Sequence, residues 1–278
     1  MHDDAVARLR NTILLAGAAL VTSAAVAAPK VNVITVIARD FAFEFPAEIP
    51  AGLTTFHLMN KGKQEHHMSV FRLDSGKTAA EGLKALVDAA HGPRPAWLHS
   101  IGGPQAARPH TDANATLVLE PGSYLAFCEV PGPDPMPHFM KGMAKGFTVT
   151  GASNPSPLPT ADVTLTLTEY DFTFAQPLTR GRHTVAVTNT GAQSHMVVIT
   201  RLPPGQTSKP WMDWAMDPKG KLAPGQSKGG VTEIPPGATV NFTENFTPGR
   251  YFLICFTSDA QDGKPHFLHG MQKEIVVR

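Results

Sequence analysis

The chain has little that would suit a polyanionic partner: across 278 residues the formal net charge is +1, and no run of basic residues appears. That excludes the electrostatic footprint expected of a protein that binds nucleic acid or an anionic membrane. No G-x-S-x-G, phosphate-binding loop, dinucleotide fingerprint, H-E-x-x-H or calcium-loop pattern is present, and the acidic residues are too scattered to argue for a catalytic pair. Beyond the N-terminus there is no apolar run of membrane-spanning length. Cysteine is scarcest of all, with two residues, Cys128 and Cys255.

What is present begins with an export signal. Arg8 and Arg10 precede the apolar stretch "TILLAGAALVTSAAVAA", which is shorter than the roughly 20 residues needed to cross a bilayer and ends in small residues. Cleavage after Ala27 leaves a mature chain starting at Ala28, expected to be periplasmic or secreted with no stable membrane insertion after the signal is removed.

The mature chain is a repeat. "FCEVPGPDPMPHFMKGM" from Phe127 to Met143 is matched by "ICFTSDAQDGKPHFLHGM" from Ile254 to Met271. Upstream, "NKGKQEHHMSVFRL" at 60–73 faces "NTGAQSHMVVITRL" at 189–202, and "RDFAFEF" at 39–45 is set against "YDFTFAQ" at 170–176. The turn-rich segment "GASNPSPLPT" at 151–160 divides the copies. The expected organisation is a signal at 1–27, one domain at 31–150, a linker at 151–160 and a second domain at 161–278. Short alternating or β-branched runs separated by "PAG", "NKG", "EPGS", "NTG" and "TPGR" predict all-β sandwiches in both halves, antiparallel in character. One helix interrupts the first half, opened by a Thr78–Glu81 capping box and closed by Gly92-Pro93, with a shorter counterpart around Trp211 and Trp214. Both are expected to serve packing.

Two cysteines in an exported protein would permit one disulfide, but these hold equivalent positions in separate copies, and pairing them would require both strand ends to meet within about 7 Å. A metal site explains more. Each copy offers a thiolate (Cys128, Cys255), a histidine after the loop (His138, His266) and a thioether five residues on (Met143, Met271). The strand after the N-x-G element adds His66 in the first copy and His195 in the second, while His67 should face the other way on an alternating strand. Two imidazoles, one thiolate and a weak thioether are the donor set of type 1 copper, whereas zinc usually takes a fourth strong ligand.

On these residues the chain resembles the cupredoxin, or blue copper, family over nearly its whole mature length, as two tandem domains. Its loop, with nine residues between Cys128 and His138 and ten between Cys255 and His266, is similar to the ligand loop of copper nitrite reductases. The resemblance implies tandem Greek-key β-sandwiches. It also implies two type 1 copper ions, held by His66, Cys128, His138 and Met143 and by His195, Cys255, His266 and Met271, that relay single electrons between redox partner proteins. The chain departs from the enzymes of that superfamily, which place a histidine directly before the copper cysteine. Phe127 and Ile254 stand there instead, and no H-x-H pair occurs among the twelve histidines. Electron transfer is therefore expected rather than catalysis. Copper storage or delivery to acceptor proteins is the alternative, suggested by Met68, Met136, Met140 and His269. His67, His99 and His110 are expected to have no metal role, and Phe139 and Phe267 to pack the loop against the sandwich.

Overall fold

The computed structural model describes residues 31–89, 94–132, 134, 136–217 and 221–278. The proposed export signal and the Gly92-Pro93 helix stop lie outside the described residues. No described helix is long and apolar enough to cross a membrane.

The first half contains β1 (Asn32–Arg39), β2 (Ala42–Glu44), β3 (Glu48–Pro50), β4 (Gly52–Asn60), β5 (Ser69–Leu73), helix α1 (Ala79–Asp88), β6 (Leu98–Gly102), β7 (Asp112–Leu119), β8 (Gly122–Phe127) and β9 (Ala144–Thr150). The second half repeats this order without a counterpart of β3, with β10 (Val163–Thr168), β11 (Asp171–Phe174), β12 (Gly181–Asn189), β13 (His195–Arg201), helix α2 (Lys209–Met216), β14 (Gln226–Ile234), β15 (Thr239–Phe246), β16 (Gly249–Ile254) and β17 (Gln272–Val277). Each half is a β-sandwich because its strands alternate. In β10 the sequence VTLTLT buries Val163, Leu165 and Leu167 and leaves the intervening threonines half-exposed, the pattern of a sheet with one wet face.

The sheets run β3-β9-β8-β5-β6 in the first half and β14-β13-β16-β17 in the second. The third sheet, β11-β10-β12-β15-β7-β4-β1-β2, is shared by both halves. Its seam is the pair β15–β7, registered at Asn241 and Thr116. Asn114 extends that ladder with its side-chain amide, donating to the Thr243 carbonyl at 2.7 Å and accepting from the Thr243 N–H at 2.8 Å. Not every pairing is antiparallel: β1–β4, β10–β12 and β3–β9 are parallel. In the first and second of these pairs an intervening hairpin strand separates the partners in sequence, supplying the crossover that parallel neighbours require.

One apolar core, from Val36 to Val277, runs through both halves. Two satellite clusters lie under the helices. Leu86 of α1 packs with Phe71, Leu125, Phe127 and Phe139, and Trp211 of α2 packs with Phe252, Ile254 and Phe267. The Thr78–Glu81 capping box forms as the sequence predicts, with Thr78 Oγ1 accepting from Glu81 N–H at 3.2 Å and Glu81 Oε2 accepting from Thr78 N–H at 2.9 Å. Each satellite therefore clamps the end of a cysteine-bearing strand and the turn that returns to it. Burying one such side chain contributes roughly 1.5–3 kcal/mol.

The halves approach closely where glycine allows. Thr232 N–H donates to Gly103 O at 3.0 Å. A Cβ at Gly102 would lie 2.8 Å from Ile234 Cγ2 of the other half, whereas one at Gly230 (φ +110°) would lie 2.0 Å from Val197 O of its own half. Gly230→Ala combines that clash with a left-handed backbone, so it should destabilise the protein by about 2 kcal/mol or more, measured as a lower urea midpoint with an unchanged m-value.

Candidate metal centres

In the first half the Cys–His loop is closed by backbone hydrogen bonds. His138 opens a 3-10 turn over His138–Lys141, which Gly142 ends at φ +102°. Phe139 N–H donates to Cys128 O at 2.8 Å, Met143 N–H to His138 O at 3.0 Å, and Cys128 N–H to Met143 O at 3.1 Å. The glycine before the methionine has a definite purpose: in the left-handed region favoured by glycine it reverses the chain so that Met143 returns beside Cys128. The second half repeats the arrangement with Gly270 at φ +102°, Phe267 N–H to Cys255 O at 3.0 Å and Cys255 N–H to Met271 O at 3.2 Å.

The upstream histidine is fixed by the N-x-G element. Buried Asn60 donates to the carbonyls of Gln64 and Ala107 at 2.7 and 2.8 Å and accepts from Gly62 N–H at 2.8 Å. Asn189 does the same with Gln193, Ile234 and Gly191. The glycine is there for want of space. A Cβ at Gly62 would meet Asp40 Oδ1 at 2.4 Å and His66 Nε2 at 2.8 Å, and one at Gly191 would meet Glu169 Oε1 at 2.7 Å and His195 Nε2 at 2.8 Å.

These supports bring His66, Cys128 and His138 together, and likewise His195, Cys255 and His266. Within each trio the donor atoms lie within 4.8 Å of one another and every residue is buried. The two Nδ1 atoms stand 3.1 Å apart in the first trio and 3.0 Å in the second, with Sγ 3.6 Å from the Nδ1 of His138 or His266. Both cysteines are free thiols in their own halves. Met143 and Met271 are fully buried beside them.

The outward ring nitrogens settle where the protons sit in the first trio. His66 Nε2 lies 2.8 Å from Asp40 Oδ1, which can only accept, so the ring donates through Nε2 and keeps a lone pair on Nδ1. His138 Nε2 makes the same kind of bond to Gln64 Oε1 at 3.0 Å. Burial pushes the Asp40 carboxyl up, but hydrogen bonds from Lys63 N–H, His66 and Gln64 N–H outweigh it and hold the group below its ordinary value. Burial lowers His66 and, with help from neighbouring His66 and Lys141, lowers His138 to about 4. Burial raises the Cys128 thiol to about 12, against the opposing effect of the His67 and Val130 N–H groups. Two inward lone pairs and a sulfur that ionises only beside positive charge form a pocket whose chemistry matches a cation.

Four residues beyond the predicted sets shape the pockets: Asp40 and Glu169, followed by Phe41 and Tyr170. Glu169 accepts from the N–H groups of Ala192 and Gln193 at 2.6 and 2.9 Å, as Asp40 does from Lys63 and Gln64. Phe41 (φ +99°) and Tyr170 (φ +71°) adopt a left-handed backbone that is costly for aromatic residues. Their rings lie 5.1 Å from His138 and 5.4 Å from His266. This corrects the expected alignment of "RDFAFEF" with "YDFTFAQ". The hairpin registers Arg39↔Ala42 and Thr168↔Asp171 make Asp40-Phe41 equivalent to Glu169-Tyr170, two places from the alignment suggested by the shared Asp-Phe pair.

His67 turns away as expected, accepting from Glu129 N–H at 2.8 Å through Nε2 and facing Gln105 Oε1 through Nδ1. His99 bonds Asp74 on the surface. His269 bonds Asp262 at 3.1 Å and stacks on Tyr170. Met68 is buried, whereas Met136 and Met140 are exposed on the loop around His138. Phe139 and Phe267 pack edge-on against Phe127 and Phe256.

No family model matches the chain, and no curated protein matches it. Solved structures do resemble it. Dithionite-reduced auracyanin from Roseiflexus castenholzii is 22% identical, covering 43% of this chain and 98% of that one with a TM-score of 0.30. Auracyanin A, a "blue" copper protein from Chloroflexus aurantiacus, is 20% identical over 44% of this chain and 100% of its own, with a TM-score of 0.31. A copper nitrite reductase from Nitrosomonas europaea is 16% identical and covers 90% of this chain and 94% of that one, with a TM-score of 0.26. At these values the chemistry has to come from this chain's own side chains.

His138 and His266 are both lowered to about 4 from 6.5, chiefly by burial and next by the partner histidine. In the metal-free protein the unfolded chain binds protons in this window and the folded chain does not. Stability should therefore be full above pH 6.5 and fall as pH drops towards 4, by up to about 1.4 kcal/mol per pH unit for each such group. Urea unfolding at stepped pH checks this, and His138→Gln should flatten the slope.

Proposed function

We propose that this chain is an exported electron-transfer protein that holds one copper ion in each half. His66, Cys128, His138 and Met143 would bind the first ion, and His195, Cys255, His266 and Met271 the second. The carrying observation is the repeated buried convergence of two Nδ1 atoms and one Sγ. Neutral imidazoles, a thiolate and a nearby thioether favour copper over a hard cation, which would want oxygen donors. Bound there, copper supplies one-electron oxidation and reduction.

The protein's part is to hold the donors still and exclude water. Backbone N–H groups from His67 and Val130 face Cys128 in the first pocket, and Met196 N–H donates to Cys255 Sγ at 3.4 Å in the second. Such bonds spread the sulfur's charge and fix its orientation. The rings of Phe41 and Tyr170 cover the second histidine of each pocket. Phe127 and Ile254, which precede the cysteines, belong to the apolar clusters under α1 and α2. That packing supports relay between redox partner proteins rather than conversion of a substrate, since neither position carries a donor to a further metal.

A second reading, copper storage or delivery, is favoured by exposed Met136 and Met140 beside His138, because thioethers suit Cu(I). A relay protein keeps its metal through repeated reduction and reoxidation, whereas a delivery protein passes it to a metal-free acceptor.

Cu(II) added to the purified mature protein should bind at two equivalents and produce intense visible thiolate-to-copper absorption. Cys128→Ser should remove about half of that absorption and one equivalent of copper, and Cys255→Ser the other half. A protein that stays colourless contradicts the proposal.

A further inference from the structure

Among the described residues, three that are not glycine have a left-handed backbone, and two of them, Phe41 (φ +99°) and Tyr170 (φ +71°), hold the same place in the two halves. Each is the second residue of the two-residue turn that closes a hairpin, between Arg39 and Ala42 in one half and between Thr168 and Asp171 in the other. A positive φ at that turn position is normally met by glycine or asparagine, which adopt it with little strain. Both halves carry a large aromatic side chain instead. A strain kept twice points to a use for the ring that glycine could not supply.

The surroundings show that use. Phe41 meets the His138 ring edge-on, with centroids 5.1 Å apart, and Tyr170 meets the His266 ring in the same way at 5.4 Å. Each aromatic also touches the residue three places further along the same 3-10 turn. The Lys141 ammonium lies 5.0 Å from the centre of the Phe41 ring, and His269 stacks on Tyr170 at 5.0 Å. Positions i and i+3 of such a turn project to one side, so each ring sits across the pair. Phe41 and Tyr170 are themselves half-buried, whereas His138 and His266 are 0% exposed. The aromatic rings therefore stand between the second histidine of each pocket and solvent.

The other residue of each turn faces the other histidine. Asp40 Oδ1 lies 2.8 Å from His66 Nε2, and Glu169 Oε1 lies 3.5 Å from His195 Nε2. A single two-residue turn thus reaches both imidazoles of its pocket, one through a carboxylate and one through an aromatic face. The turns are tightened by Phe41 N–H donating to Arg39 O at 2.9 Å and Tyr170 N–H to Thr168 O at 3.0 Å. Tyr170 is tied down further, its OH donating to Asp259 at 2.6 Å.

Resting on the copper reading above, we infer that Phe41 and Tyr170 are positioning residues, kept at a strained turn because their rings hold His138 and His266 in place and keep water from the metal. Glycine would make the easier turn and leave the later histidine uncovered. Apolar cover of this kind sets how far solvent reaches a metal site.

Two measurements on the full chain test this. In the metal-free protein, Phe41→Ala removes the ring and keeps the strain, while Phe41→Gly removes both. The glycine variant should therefore unfold at the higher urea midpoint of the two, despite its greater freedom in the unfolded chain. In the copper-loaded Cys255→Ser chain, where only the first pocket holds the metal, the water-proton relaxation rate should stay close to that of the metal-free protein. Adding Phe41→Ala or Phe41→Gly should raise it, and Phe41→Tyr, the residue the second half uses, should not. Copper stoichiometry and circular dichroism check that each variant is folded and loaded. Tyr170→Ala and Tyr170→Gly in the Cys128→Ser chain repeat the comparison independently if the Phe41 variants fail to fold. Coloured variants whose relaxation rate does not move, or an alanine variant as stable as the glycine one, would overturn the inference and leave the copper reading standing. A colourless protein would overturn both.

Discussion

Two imidazole nitrogens facing each other about 3 Å apart in a buried pocket, with a thiol alongside, form an arrangement that a folded chain does not reach by apolar packing alone. Each Nδ1 is turned inward because the ring is fixed from elsewhere: by Asp40 and Gln64 on the outward nitrogens of the first pair, by the N-x-G turn behind the upstream ring, and by the backbone bonds that tie the histidine turn to the cysteine strand. Much of the fold can be read as the support this convergence needs. The helices hold the outer face of the cysteine strands, the glycines make room for rings and carboxylates, and the aromatic residues with left-handed backbone cover the pockets.

The trios that the fold brings together could be read in the sequence because cysteine and histidine sit on one loop, follow an N-x-G-x3-H element upstream, and recur in the second half. The supports were harder to read for physical reasons. Asp40 and Glu169 differ in side-chain length and lie on the turn of a short hairpin, where the repeated Asp-Phe pair suggests an alignment displaced by two residues. The bare N-x-G motif carried the information about space, yet only the fold shows that the missing Cβ would collide with the carboxylate and the ring together. Gln64 and Gln193 align correctly, but their different hydrogen bonds follow from the extra residue in the second loop, which brings in Asp259. The sandwich character was clear from alternation, as in β10. The parallel pairs and the sheet shared by both halves were not, because strand order depends on contacts distant in sequence.

That shared sheet has a functional consequence. β7 and β15 meet side by side, Asn114 bridges them, and Gly103 lies against Thr232, so the two pockets belong to one continuous core. The two candidate pockets are thereby held at constant separation, which a common core provides better than a flexible tether. The small differences between the halves, Gln64 against Asp259 and Lys141 against His269, then act on a rigid background.

The most direct test of the convergence is X-ray absorption at the copper edge of the loaded protein, which counts and identifies the atoms bound to the metal. Preformed pockets in both halves predict, for each copper, one sulfur at short distance and two imidazole nitrogens. A shell of nitrogen and oxygen alone, or two short sulfurs on one ion, would contradict them.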